Sequence, residues 1–172
     1  MTDERRVAYV VAFSAPPVLE LGEFLQLLHA RDWDTYVILS PTAATWVDIE
    51  DLAEVSGHLV RAEPRRPQEP DPLPHAETML VAPLTFNSLN KWAAGISDTL
   101  ALGLLNEGLG LDLPITVAPC IKPVLRRHPA YRESIDRLAS LGVRVLDPEV
   151  ILGRSESGTV TLNWWAALPP GD

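Results

Sequence analysis

Residues 83–98, PLTFNSLNKWAAGISD, gather hydroxyl, amide and ammonium groups where an apolar strand gives way to a helix. Thr85, Asn87 and Ser88 stand where that helix begins. The first turn of a helix has unpaired N–H groups and the positive end of the dipole, so it favours an anion such as a phosphate. The same residue types also act as plain N-caps, and the spacing fits both roles. Asn87, Asn90 and Lys91 fall at i, i+3 and i+4 and share one helix face. Trp92 points away from that face into the core, Gly95 interrupts the helix, and Asp98 is placed to cap its second part. Two further strand ends carry hydroxyls, one at Ser14 and one in the turn Ser40-Pro41-Thr42. Cys120, Lys122 and His128 form a third polar stretch with Arg126 and Arg127. A cation beside a thiol lowers its pKa and makes it reactive. Cys120 fits equally well as a small buried residue at a sheet edge. The basic cluster 126–128 fits a solvated face or an anion contact.

Several kinds of chemistry are excluded. Neither GxGxxG nor GxxxxGK[ST] occurs, so the common dinucleotide and P-loop turns are absent. With a single cysteine, an internal disulfide is impossible, and no cysteine-based zinc site or other metal site is expected. The formal charge of −9 argues against a nucleic-acid partner. No apolar run approaches the roughly 20 residues of a membrane span. The N-terminal MTDERRVAYVV is charged and lacks the pattern of a signal peptide. A cytoplasmic protein without a membrane partner is expected.

The elements that must position these groups can be read from apolar patterning. Residues 6–13, RVAYVVAF, form a buried strand, and residues 18–31 carry Val18, Leu19, Leu21, Phe24, Leu25, Leu27 and Leu28 on a broad helical stripe. Residues 34–40 form the second strand of a right-handed βαβ unit. A short helix over 48–55 stops at Gly57, and 58–62 form a short strand. The proline-rich stretch 63–74 is a surface loop. Strands follow at 78–82, 114–118 and 143–146. Helices are expected over 87–105, broken at Gly95 and ended by Gly108 and Gly110, and over 130–140, ended by Gly142. Residues 119–129 are irregular, 153–163 form a hairpin and 168–172 a frayed tail. Trp164 and Trp165 cover a sheet edge or meet another subunit. The whole, residues 1–172, is one α/β domain: a Rossmann-like (flavodoxin-like) three-layer sandwich with a parallel sheet. Ligands of such folds sit beyond the carboxyl ends of the strands, where Ser14, Ser40–Thr42 and Thr85–Ser88 converge.

The run from residue 83 to residue 100 resembles the signature of the homo-oligomeric flavin-containing cysteine decarboxylase superfamily, which includes phosphopantothenoylcysteine decarboxylase and the lantibiotic peptidyl-cysteine decarboxylases. That signature is a PASANT-like turn followed by a lysine, a glycine and an aspartate before a leucine pair. Pro83, Thr85, Asn87, Ser88, Lys91, Gly95 and Asp98 match it in one register, and the resemblance runs from the first strand to about Pro148. It implies a trimeric or dodecameric flavoprotein with FMN at the subunit interface. The FMN contacts it implies are Ser14, Ser40, Thr42, Thr85, Asn87, Ser88 and Asp98. The first FMN turn departs from the family pattern at Pro16 and Pro17.

The resemblance also implies an oxidative decarboxylation of a small-molecule or peptide thiol. There the flavin accepts a hydride equivalent and a base, usually histidine, assists the thiol. The register puts Glu69, in the proline-rich loop, at the family's histidine, with His75 following six residues later. Pro119-Cys120-Ile121-Lys122 matches the family's carboxylate-binding segment, with Lys122 in place of its asparagine. The family's flap cysteine has no counterpart. The implied catalytic candidates are therefore His128, Lys122 and His75. The alternative is a non-catalytic ligand-binding or assembly module on the same fold. A flavin prenyltransferase, the third relative, would carry glycine- and glutamate-rich signatures that this sequence lacks.

Overall fold

The computed structural model describes residues 5–171. The charged lead-in of residues 1–4 and the last tail residue, Asp172, lie outside the described residues. Strands β1 (Arg6–Ala12), β2 (Trp33–Leu39), β3 (Thr78–Leu84), β4 (Ile115–Pro119) and β5 (Arg144–Val145) form one sheet in the order β2-β1-β3-β4-β5. All neighbours are parallel. This is the doubly wound flavodoxin-like order, in which the direction of winding reverses between β1 and β3. The fold class expected from the sequence is the one observed.

Both sheet faces are buried, which explains the near-continuous apolar strands. Side chains alternate between two cores because successive Cβ atoms point to opposite faces. Ala8, Val10, Ala12, Leu80 and Ala82 face one layer, and Tyr9, Val11, Met79 and Val81 face the other. The first layer contains α1 (Leu21–His29) and α3 (Ile49–Ser56). The second contains α4 (Phe86–Ala93), α5 (Leu100–Gly110) and α7 (Pro129–Ser140). Short helices α2 (Pro41–Ala44), α6 (Pro123–Arg126) and α8 (Pro148–Ile151) lie at the carboxyl ends of β2, β4 and β5.

Several expected boundaries move for local reasons. Prolines 16 and 17 open a 3₁₀ turn, Pro16–Glu20, and α1 starts only at Leu21. The helix expected over 87–105 is two helices, because Gly95 takes a left-handed φ of 76°. Thr99, not Asp98, caps the second one, its hydroxyl accepting from the Leu102 N–H at 3.2 Å. Gly108 does not end α5. It lies buried within the helix, where a Cβ would collide with the Met79 sulfur. Asp112 instead turns the chain beyond the helix, with a φ of 54°. The strand expected at 58–62 is a single bridge, Ile38 to Arg61. Residues 63–74 contain neither helix nor strand, as expected.

The C-terminal hairpin forms as antiparallel β6 (Leu152–Arg154) and β7 (Val160–Leu162). Trp164 is buried and stacks on Phe24 with ring centroids 5.1 Å apart. Its partner Trp165 is exposed, with the Arg31 guanidinium 4.7 Å from its ring. Trp164 therefore closes the first core. The start of the expected frayed tail is docked: Leu168 is buried and its carbonyl accepts from Arg144 Nη1 at 3.1 Å. An apolar side chain at the chain end gains more from that core than from fraying.

Candidate functional site

Three strand ends are tied together at the switch point. The Phe13 N–H donates to the Pro83 carbonyl at 3.0 Å, and the Cys120 N–H donates to the Leu84 carbonyl at 2.9 Å. Beyond them opens a cavity of about 700 Å³, a size that suits a cofactor or a small ligand. Its walls come from β1's end (Ser14, Ala15, Pro16), the start of α4 (Thr85, Phe86, Asn87) and β4's end through α6 (Cys120 to Pro123, Leu125 and Arg126). The hairpin residues Leu152, Arg154 and Val160 also line it.

The polar groups on this apolar wall are few and specific. The Thr85 hydroxyl accepts from the Ser88 N–H at 3.3 Å and caps α4 while also lining the cavity. Capping and ligand binding are thus compatible at this residue. Asn87 is exposed on the cavity wall, and neither its amide nor the Ser14 hydroxyl has a hydrogen-bond partner among the described residues. Lys122 and Arg154 are exposed on the lining, and Arg126 is largely buried there. Glu149 faces Arg126 at 3.9 Å. Burial pushes the Cys120 thiol up to about 11 from its usual 9.0. Desolvation thus outweighs any help from neighbouring cations, and Cys120 is the inert alternative of the two open from the sequence.

The expected site residues divide into two groups. Ser14, Thr85, Asn87 and Lys122 meet in the cavity. Ser40, Thr42, Ser88, Asp98, His75 and His128 do not line it. The Ser40 hydroxyl is buried and caps α2, accepting from the Ala43 N–H at 3.2 Å. Thr42 lies on α2, its carbonyl accepting from the Thr45 hydroxyl at 2.7 Å. Ser88 lies in α4 and is buried. The Asp98 carboxylate accepts from Lys91 Nζ at 2.6 Å, which ties the two halves of the broken helix together. Asn90, on the same face as Lys91, is also structural: Ser134 Oγ donates to its Oδ1 at 2.7 Å and docks α7 on α4.

His75 is exposed outside the cavity. His128 is exposed and caps α7, its Nδ1 accepting from the Ala130 N–H at 3.1 Å. That bond requires Nδ1 to be unprotonated. The ring also meets the edge of Phe86, with centroids 5.7 Å apart, and so borders the cavity behind one of its wall residues. Sequence reasoning missed the hairpin residues and the separate role of Arg126. The basic cluster was visible, but only the turn of α6 shows that Arg126 faces inward while Arg127 stays exposed.

A flavin fits these residues. The lining is mainly apolar side chains, suited to a planar ring, with an unpartnered amide and hydroxyl and several cations for polar substituents. Pro16 and Pro17 remove two N–H donors from the first turn, so the start of α4 supplies the larger share of free backbone donors there.

Comparison with known proteins agrees with the fold. Over 85 residues the chain is 31% identical to the coenzyme A biosynthesis bifunctional protein of Thermococcus kodakarensis, covering 49% of this chain and 21% of that protein. The chain thus spans only about a fifth of that relative's length. Among solved structures, a PPC decarboxylase variant complexed with pantothenoylaminoethenethiol superposes with a TM-score of 0.73 at 18% identity, covering 93% of this chain and 90% of that one. The FMN-dependent cysteine decarboxylase TvaF from thioviridamide biosynthesis gives 0.68 at 20% identity, covering 84% and 91%. The family profile described as Flavoprotein matches residues 5–168, and the chain belongs to that family.

Proposed function

We propose that this chain binds FMN in the cavity between β1, β3 and β4, and that a small-molecule or peptide thiol docks beside the flavin for oxidation or decarboxylation. The observation that carries this is the convergence of Ser14, Thr85, Asn87 and Lys122 on one apolar cavity at the switch point. Bound there, FMN would supply the two-electron acceptor for the thiol. Asn87 and Thr85 would hold the flavin's polar edge or phosphate. Lys122 would attract the thiol's carboxylate as a point charge, and the apolar walls would exclude water. The names of the relatives, a coenzyme A biosynthesis protein and cysteine decarboxylases, support this substrate class.

No titratable histidine lines the cavity among the described residues. That observation favours a second reading, a ligand-binding or assembly module that keeps the flavin but not the turnover. Mixing the FMN-loaded protein anaerobically with a peptide ending in cysteine separates the two. Bleaching of the flavin with release of carbon dioxide supports catalysis. A bound peptide with neither signal supports the module.

A homo-oligomer, with a trimer as the first expectation, and a cytoplasmic location belong to the same proposal. Leu19 and Trp46, exposed along a groove between the 3₁₀ turn and α3, offer apolar surface for a subunit contact. No helix among the described residues is long and apolar enough to cross a membrane. Light scattering on the purified chain measures the oligomer.

A further inference from the structure

The groove between the 3₁₀ turn and α3 differs from the flavin cavity in charge. It encloses about 390 Å³. Leu19 and Trp46, 62% and 45% exposed, line it together with the buried Leu52. One face of α3 is turned to it, since Asp48, Asp51, Leu52 and Val55 fall at i, i+3, i+4 and i+7. Every charged residue on the lining is acidic: Asp48, Asp51 and Glu54. Asp48 is committed to capping α3, its Oδ1 accepting from the Glu50 and Asp51 N–H groups at 3.0 and 3.1 Å. Asp51 and Glu54 are exposed, and neither carboxylate has a hydrogen-bond or ion-pair partner among the described residues. Residues 41–56 contain no lysine, arginine or histidine, so the segment brings no cation of its own.

Gly22 is a second and independent observation. It lies in α1 and lines the same groove. Glycine weakens a helix, so its place in one calls for a reason. Backbone geometry supplies none, because its φ is not in the left-handed region. Close packing supplies none either, because a Cβ added there would meet nothing within 4 Å. What the missing side chain does is leave the groove open.

We propose that this groove docks a cationic amphipathic helix of another protein. Apolar side chains of that helix would seat over Leu19, Trp46 and Leu52, and its lysines or arginines would face Asp51 and Glu54. This goes beyond the function proposed above and does not depend on the flavin. A second copy meeting the groove with its own groove would set these carboxylates against one another, and like charges across an interface oppose association. A second copy using a different face is the competing occupant, and the test decides between them.

The test uses the whole purified chain and a labelled synthetic helix of leucine and lysine, about 15 residues long. Fluorescence anisotropy compares it with the same peptide carrying glutamate in place of lysine. The lysine peptide should bind saturably, about tenfold or more tighter than the glutamate peptide, and more weakly as salt rises. Asp51→Lys combined with Glu54→Lys should lose about tenfold or more. Glu133→Lys combined with Asp136→Lys changes the net charge equally, at exposed positions of α7 in the other layer, and should keep the affinity. Gly22→Leu fills the groove, so it should weaken binding while the melting temperature holds or rises. FMN uptake should be the same in all of these variants. No saturable binding of the lysine peptide, an equal loss in the α7 variant, or full affinity in folded Gly22→Leu overturns the proposal. So does light scattering that shows a smaller oligomer for Gly22→Leu than for the native chain, which would assign the groove to a second copy. A chain that takes up no FMN yet binds the peptide in this pattern refutes the flavin proposal and upholds the docking groove.

Discussion

Cys120 lines the cavity between Ile121 and the end of β4, where an activated thiol would change the chemistry of the whole site. Burial raises its pKa from 9.0 to about 11. A displacement of that size lowers the thiolate fraction at neutral pH by about 100-fold relative to an unperturbed thiol. The thiolate is the reactive species, so alkylation should slow by about the same factor, apart from any steric shielding. Intact-mass measurement of iodoacetamide labelling, with a short cysteine peptide as reference, gives the rate. The rate should keep climbing with pH beyond the point where the peptide's rate levels off, and reach half of its own plateau only near pH 11. Substituting Cys120 by Ser should leave flavin binding intact. Labelling at the peptide's rate, with a plateau at the peptide's pH, would refute the claim that desolvation dominates here.

Other consequences follow from the packing around the site. Thr85→Ala removes the cap of α4 and should cost about 1 kcal/mol, or about 2–4 °C in Tm, together with a loss of FMN affinity. Trp92 is buried, but its Nε1 has no partner among the described residues. Trp92→Ala should therefore cost about 3–5 kcal/mol, and Trp92→Phe much less, by denaturant unfolding. The Lys91–Asp98 pair is half exposed, and a double-mutant cycle should return at most about 1 kcal/mol. His29 is held below its usual 6.5, chiefly by desolvation. The folded state thus binds fewer protons than the unfolded one just below pH 6.5, so stability falls with pH from 6.5 down to the folded-state pKa. His29→Gln should flatten that part of the Tm-versus-pH curve.

The strands and both cores were legible in the sequence because strands buried on two faces must be apolar throughout, and because Asp48, Gly57 and Gly95 punctuate the chain by local chemistry. The polar turns at Ser14 and Thr85 were legible for the same reason. Side-chain destinations were not. Whether Asp98 caps a helix, binds a ligand or pairs with Lys91 depends on how the two half-helices meet, which no local pattern encodes. Ser40 and Thr42 sit in a matching turn, yet the Ser40 hydroxyl is taken up by its own helix. The hairpin was recognisable as a hairpin from its turn residues, but its place on the cavity wall is a tertiary outcome. Arg154 and Val160 therefore joined the site only in three dimensions.

The central claim is that the turn at residues 83–88 is part of a flavin site. The most direct test is titration of the purified chain with FMN, following flavin fluorescence, with Asn87→Ala as the control. The account predicts saturable binding of about one FMN per chain, weakened in the variant while its melting temperature is kept. A colourless protein that leaves FMN fluorescence unchanged would contradict it.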